Sequence, residues 1–335
     1  MAEIAKVACV TGGNGFLAST LIKQLLEKGY VVNATVRDPG NKSKVSHLSK
    51  LQELGTLRLF QAELTEDGSF DEAVSGCYYV FHVATPVNLF SSDPENELIK
   101  PAIQGTLNVL KSCIKSNTVK RVILTSSAAT VSASNLQGAG FVLNEESWSD
   151  IEFLTTDKPP TWGYLMSKTL AEKEAWKFAE QNKLELVSII PPLIVGPALN
   201  GDIPPSLAIG LSLLTGDDAR VGGLKTIQML SGSISFTHVE DVSRAEIFVA
   251  ENESAFGRYI CCAINTSLPE LAEFLSKRYP QYNVPTNFTD VPKKARLSLS
   301  SAKLIREGFK FEKKDLGTIY EDSVEYVKTA GLLPN

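Results

Sequence analysis

A tyrosine and a lysine four residues apart offer the sharpest chemistry in this chain. Tyr164-Leu165-Met166-Ser167-Lys168 lies in a run, Thr161–Gln181, whose Leu165, Thr169 and Trp176 have helical spacing. Residues i and i+4 share a helix face, so phenol and ammonium can act together. A free tyrosine has a pKa of about 10 and is a poor acid at neutral pH. An ammonium about 4 Å away favours the phenolate by about 4 kcal/mol at an effective dielectric of about 20. That is equivalent to lowering the phenol pKa by about 3, before desolvation opposes it. Tyr164 is thereby a candidate general acid. The third expected member is a hydroxyl at the end of a central strand. Val122-Ile123-Leu124-Thr125-Ser126-Ser127 supplies two candidates. Ser127, just beyond the strand end, is placed to polarise a substrate oxygen, and Ser126 is its alternative. Such Tyr–Lys pairs also arise by chance on many helices, but the strand-end serines and a glycine turn in the right order argue against chance here.

That turn is Thr11-Gly12-Gly13-Asn14-Gly15-Phe16-Leu17-Ala18, between a short apolar strand and a helix. Gly12 suits the sharp turn, Gly15 lets backbone approach a pyrophosphate, and Ala18 keeps the helix close to the sheet. The helix N-terminus adds free N–H groups and the positive end of its dipole. The pattern predicts dinucleotide binding. At the end of the second strand an NAD site wants an acidic residue for the ribose hydroxyls. Arg37 stands there instead, followed by Asp38, with Lys44 beyond. A guanidinium fork suits a 2′-phosphate, so NADP(H) is the expected cofactor. The competing reading is a solvated Arg–Asp pair. Glu63-Leu64 and Val83-Ala84-Thr85 end the third and fourth strands and are placed to line the cofactor. His82 reads as a packed histidine, and His238 as structural.

These residues need elements to hold them. Strands are expected at Val7–Val10, Tyr30–Val36, Leu57–Phe60, Tyr79–Val83, Arg121–Thr125 and Glu185–Ile190, with helices between them, clearest at Phe16–Glu27 and Glu97–Ser116. Gly29 closes the first helix. Alternation at this spacing implies an α/β fold, a Rossmann-type doubly wound parallel sheet. After Pro191 prolines and glycines loosen the pattern, and short helices are expected at Leu207–Leu214, Val239–Ala250 and Leu268–Arg278. Residues 1–190 are thus expected to form an NADP-binding domain and residues 191–335 a smaller substrate-binding lobe, with some chain crossing back to the sheet.

The composition excludes several classes. With 335 residues, 43% apolar content and 38 acidic against 33 basic residues, the chain can build a large core and carries no basic run for nucleic acid. No apolar stretch is long enough to span a bilayer. The five cysteines, Cys9, Cys77, Cys113, Cys261 and Cys262, are odd in number and make no C-x-x-C pair, which fits reduced, buried thiols. With no signal-peptide pattern at the N-terminus, the expected compartment is cytoplasmic. Scattered histidines and cysteines lack metal-ligand spacing, so no metal site is expected.

The strings TGGNGFLA, ATVRDP, FHVATPV, IKPAIQGTLNVLKSC, VKRVILTSSAA and PPTWGYLMSKTLAEK resemble the plant dihydroflavonol reductase-like branch of the extended short-chain dehydrogenases/reductases, almost end to end. QMLSGSIS, RYICCAINTSLPELAEFLSKRYPQY and VEYVKTAGLLPN are most similar to those members that reduce anthocyanidins to 2,3-cis-flavan-3-ols in two hydride transfers. The resemblance implies that activity, in flavonoid biosynthesis, with NADPH. It maps the family's catalytic serine, tyrosine and lysine onto Ser127, Tyr164 and Lys168. Its cofactor contacts fall on the glycine turn, Arg37, Lys44, Glu63, Leu64, Val83, Ala84, Thr85, Ser126, Tyr164, Lys168, Pro191, Ile194 and Ser206. Its substrate contacts fall on Pro86, Ser127, Ser132 and Tyr164. Ser132 stands where dihydroflavonol reductases usually carry an asparagine that reads the flavonoid B-ring, which argues against a dihydroflavonol substrate. Glu63 replaces the usual Asp near the adenine, Pro192 the usual Thr after Pro191, and Val195-Gly196-Pro197 is nearer to dihydroflavonol reductases. Phe90, Trp162 and Phe236 are candidates to stack on a flat substrate, or are core. The expected partner is a small flavonoid. A homo-oligomer or a weak association with other enzymes of the pathway is compatible with the sequence. The alternatives are a dihydroflavonol or other phenolic carbonyl reductase, or a non-enzymatic NADP-binding regulator on the same fold.

Overall fold

The computed structural model describes residues 6–88, 91–134 and 138–334. In chain order the elements are β1 (Val7–Val10), α1 (Phe16–Glu27), β2 (Val31–Val36), α2 (Lys42–Leu51), β3 (Leu57–Gln61), α3 (Asp71–Val74), β4 (Tyr79–His82), α4 (Lys100–Ser116), β5 (Arg121–Thr125), β6 (Phe141–Leu143), α5 (Ile151–Thr156) and α6 (Trp162–Asn182). They continue with β7 (Leu186–Ile190), β8 (Leu193–Val195), α7 (Pro205–Gly210), α8 (Ser212–Thr215), α9 (Asp218–Ser231), β9 (Ile234–His238), α10 (Val239–Glu251), β10 (Gly257–Ile260), β11 (Ile264–Thr266), α11 (Leu268–Arg278), β12 (Leu297–Leu299), α12 (Ala302–Arg306) and α13 (Leu316–Thr329).

Two compact units divide the chain. The first comprises Met1–Ser126, Thr161–Ile189 and Ser243–Arg258; the second comprises Ser127–Pro160, Ile190–Val242 and Tyr259–Asn335. The boundary expected at residue 190 is one of the crossings. Residues 127–160 differ from expectation because β6 pairs in parallel with β12, Phe141 opposite Leu297 and Leu143 opposite Leu299. Residues 243–258 lie in the first unit, where Arg121 binds the Val249 and Asn252 carbonyls.

The first unit is built on a seven-stranded sheet of order β10-β7-β5-β4-β1-β2-β3. The ladders from β7 to β3 are parallel. Its inner strands are near-continuous apolar runs, as strands covered on both faces must be. Val80, Val122, Leu186 and Cys9 pack with Val109, Leu110 and Cys113 of α4 and Ala175 and Ala179 of α6. Strand order reverses between β1 and β4, and ligands of open α/β sheets bind beyond the strand ends at such a point. Gly29, at φ +84°, follows α1 as expected, with Gly29 N–H donating to the Leu26 carbonyl and Tyr30 N–H to that of Leu25. The helix expected at Glu97–Ser116 opens instead with a π-helical turn, Glu95–Ile99. Pro101 has no N–H to offer the Glu97 carbonyl, so the first turn widens.

In the second unit, β9 pairs antiparallel with β11 and parallel with β8. Phe236, Leu224, Leu271, Leu275 and Tyr320 lie in its main core. The single helix expected over Leu207–Leu214 is two, separated at Leu211.

Arg121 is 1% exposed. Its Nη1 donates to the Val249 carbonyl at 2.5 Å and that of Asn252 at 2.6 Å, and its Nη2 pairs with Glu185. Carbonyls at a helix C-terminus have no partner within the helix, so this one guanidinium finishes α10 and fastens it to β5. Arg121→Met keeps the aliphatic bulk and removes the donors. It should lower stability by about 2–4 kcal/mol, read as a lower urea midpoint at unchanged m-value.

Candidate active site

The glycine turn is held by hydroxyls and tight packing. Thr11 Oγ1 accepts from the N–H groups of Val83 and Ala84, both at 3.0 Å, and lies 3.0 Å from His82 Nδ1. With both lone pairs taken, the Thr11 proton must go to Nδ1. His82 is then neutral and donates from Nε2 to Thr106 Oγ1 at 3.3 Å. Burial, then the nearby Lys168 charge, pushes its pKa down to about 3, as expected of a packed histidine. Gly12 takes φ +69°, and a Cβ there would lie 3.1 Å from Ala84 Cβ. At Gly13 a Cβ would lie 2.9 Å from Ala34 Cβ, so this glycine, more than Ala18, sets the closeness of turn and sheet. Ala18 and Leu17 are buried, Phe16 half-buried. Gly15 caps α1 without a side chain, and no acidic residue stands in the first turn. A helix start so left is fitted to an anion. The turn thus meets the β4 end at Thr11 and Gly12, which touch Val83 and Ala84.

Arg37 and Lys44 are exposed at and beyond the end of β2. Asp38 turns its carboxylate to the Gly40 N–H at 2.8 Å, and among the described residues no ion pair engages Arg37. The guanidinium is therefore not held by the neighbouring Asp38 carboxylate. Glu63 bends back to accept from the Leu64 N–H at 3.0 Å, while the Leu64 carbonyl accepts from Asn108 at 2.9 Å. Backbone groups of Leu64 are therefore committed within the protein.

Lys168 and Tyr164 both lie on α6. Lys168 is 7% exposed and its Nζ donates to the Thr125 carbonyl at 3.0 Å, at the end of β5. Burial lowers its pKa to about 8, with the Glu172 charge opposing. Glu172, one turn on, accepts from Ser126 Oγ at 2.5 Å and from Arg258 Nε at 2.8 Å. One small cavity is lined by Ala84 and Thr85 beyond β4 and by Ser126, Lys168 and Glu172 from the end of β5 and from α6. Tyr164 is half-buried in the first turn of α6. Ser127 is half-buried and caps a short 3-10 turn, Ala128–Thr130, its Oγ accepting from the Ala129 N–H at 3.2 Å.

The remaining expected residues have varied fates. The Pro191 carbonyl accepts from the Ala128 N–H at 2.8 Å, tying it to the segment after Ser127. Ile194 lies in β8 opposite Thr237, and Ser206 in α7. Pro86 and Trp162 are half-buried, and Phe90 lies outside the described residues. Ser132 is buried, its hydroxyl donating to the Ala128 carbonyl at 2.8 Å. Phe236 is no stacking surface: it is fully buried edge-to-face with Tyr320, because β9 alternation turns it into the core. His238 is fully buried, with burial lowering its pKa, and its Nδ1 accepts from the Glu240 N–H. Glu172, Arg258 and Glu246 escaped the sequence reading. Glu172 carried a signal, the i+4 spacing from Lys168; the other two, distant in sequence, carried none.

Fold and site together define a dinucleotide-dependent enzyme class. The chain belongs to the NAD dependent epimerase/dehydratase family, whose model matches residues 8–262. It is similar to an anthocyanidin reductase ((2S)-flavan-3-ol-forming) of Vitis vinifera, 61% identical over 330 residues, 98% of this chain and 97% of that protein. A dihydroflavonol 4-reductase of Callistephus chinensis is 45% identical over 328 residues, 97% of this chain and 87% of that one. The crystal structure of vestitone reductase from alfalfa superposes with a TM-score of 0.83 at 36% identity, covering 98% of this chain and 99% of that one.

Glu246 of α10 is fully buried, its Oε1 accepting from Thr125 Oγ1 at 2.6 Å. Burial raises its pKa from 4.5 to about 8. Between those values the folded protein holds a proton that the unfolded chain has lost, so this group makes stability fall as pH rises from about 4.5 to about 8. Glu246→Gln, isosteric with the neutral acid, should flatten that fall, as measured by urea unfolding at a series of pH values.

Proposed function

We propose that this chain reduces anthocyanidins such as cyanidin to 2,3-cis-flavan-3-ols such as epicatechin with NADPH, in the cytosol, and that Ser127, Tyr164 and Lys168 are its catalytic group. The observation that carries the reading is the Lys168 ammonium, held on the Thr125 carbonyl one helical turn from Tyr164 and lining one cavity with Ala84 and Thr85. A flavylium cation becomes a neutral flavan-3-ol by gaining two hydrides and one proton, and bound NADPH supplies the hydrides. Tyr164 moves a proton at a ring hydroxyl oxygen. Charged Lys168 stabilises the phenolate that Tyr164 leaves. Ser127 polarises a substrate oxygen, and Arg37 with Lys44 holds the 2′-phosphate. Ser132, its hydroxyl turned to the Ala128 carbonyl, leaves the B-ring without the asparagine of dihydroflavonol reductases. The higher identity to the Vitis vinifera enzyme than to the dihydroflavonol 4-reductase supports the same choice.

Feeding cyanidin and dihydroquercetin separately with NADPH, and resolving products by chiral chromatography, should give a flavan-3-ol from cyanidin. Consumption of dihydroquercetin alone would overturn this substrate. Tyr164→Phe should lower kcat about 10²–10⁴-fold while NADPH affinity, read by fluorescence titration, stays near that of the parent protein. An unchanged rate would remove Tyr164 from the chemistry.

A further inference from the structure

His47 of α2 lies in a contact that the catalytic reading does not use. Its Nε2 is 3.0 Å from Ser19 Oγ, and both residues are buried. Ser19 sits in α1, and its Oγ is also 2.6 Å from the Gly15 carbonyl and 3.1 Å from that of Gly13. A hydroxyl has one proton, and carbonyls only accept. The Ser19 proton therefore goes to the glycine turn, and the imidazole must donate from Nε2 to the Ser19 oxygen. The chain of donors runs His47 to Ser19 to Gly15, from a helix outside the sheet to the loop fitted to a pyrophosphate. The same helix carries Lys44, and it follows the strand end that carries Arg37. One imidazole thus joins the two surfaces that meet the phosphates of a dinucleotide.

We propose that His47 is a positioning residue for cofactor choice: through Ser19 it fixes the Lys44-bearing helix against the glycine turn, and so sets the preference for NADPH over NADH. The proposal rests on the reading that Arg37 and Lys44 hold the 2′-phosphate. NADH shares the pyrophosphate and lacks that phosphate, so a loosened α2 weakens NADPH more than NADH. An imidazole that only filled space would affect both alike. Two carbonyls on one hydroxyl also make the brace directional, because only a donor at position 47 completes it.

The test is the dissociation constant of NADPH and of NADH, by fluorescence titration of the full chain, for the parent protein and for His47→Leu, His47→Gln, Ser19→Ala and Arg37→Ala. His47→Leu should weaken NADPH by about tenfold, the scale of one buried hydrogen bond, and NADH by about threefold or less. His47→Gln, which keeps an N–H donor, should recover most of the loss. Ser19→Ala should shift the preference in the same direction, and adding it to His47→Leu should cost little more than either alone, since both cut one chain. Equal weakening of the two cofactors, no weakening, or full additivity overturns the proposal. If His47→Leu does not fold, His47→Gln and Ser19→Ala decide alone: an unchanged preference in Ser19→Ala, or a lost one in His47→Gln, overturns it. Arg37→Ala separates the two readings. If it leaves the preference for NADPH intact, the 2′-phosphate assignment falls; if it abolishes the preference while the His47 and Ser19 variants keep it, only the brace falls.

Discussion

The Lys168 ammonium sits where water barely reaches, with a backbone carbonyl of β5 at 3.0 Å and the Glu172 carboxylate one turn further along α6. A buried charge is expensive unless its surroundings compensate it. Here the compensation is indirect. Glu172 opposes the burial effect on Lys168, yet it is itself bound by Arg258 of β10 and by the Ser126 hydroxyl. The lysine is left charged but weakly so, at about 8. Three elements far apart in sequence therefore set the charge of one group: the end of β5, the third turn of α6 and the edge strand β10. The sheet order brings them together, with β5, β7 and β10 adjacent.

The other half of the site depends on the same sheet at β1 and β4. Thr11 follows β1 with a hydroxyl that satisfies two N–H groups beyond β4, so the two strand ends are stitched where the strand order reverses. A buried N–H without a partner costs about 1–3 kcal/mol, which gives Thr11 a structural role at the two strand ends. The close approach of Gly12 to Ala84 and of Gly13 to Ala34 leaves no room for side chains. The turn is thus shaped by backbone and small residues, while the long side chains Arg37 and Lys44 stand exposed beyond the end of β2.

How much of this was legible in the sequence follows from how local each signal is. β1, β5 and α11 have the boundaries their periodicity predicts, because apolar runs and caps act over a few residues. Parallel strands buried on both faces read as clearly as any element can. α9 was hidden by Gly222 and Gly223, although Asp217 caps it by accepting from the Arg220 N–H. α13 has a comparable cap, Asp315 on the Thr318 N–H. Some crossing back to the sheet was legible, but not which segments interleave, since these rest on the pairing of β6 with β12 and on Arg121 reaching α10, contacts with no sequence periodicity. Within the site, the motif residues on strand ends could be placed; Arg258 and Glu246, which act on those strand ends from afar, could not.

The choice between Ser126 and Ser127 shows what geometry adds to a motif. Both are hydroxyls at the end of β5, and their spacing from Tyr164 does not separate them. Ser126 gives its only proton to a buried carboxylate at 2.5 Å, a charge-assisted bond among the stronger kinds in a protein. To polarise a substrate oxygen it would have to abandon Glu172, leaving that carboxylate with less support inside the core. Ser127 accepts one N–H through its oxygen, and no contact among the described residues takes its proton. A substrate oxygen is an acceptor, so the hydroxyl with an uncommitted proton is the one able to serve it. Adjacent and chemically identical, the two serines differ in what they hold: Ser126 is bound to the carboxylate beside Lys168, and Ser127 keeps its proton for an acceptor.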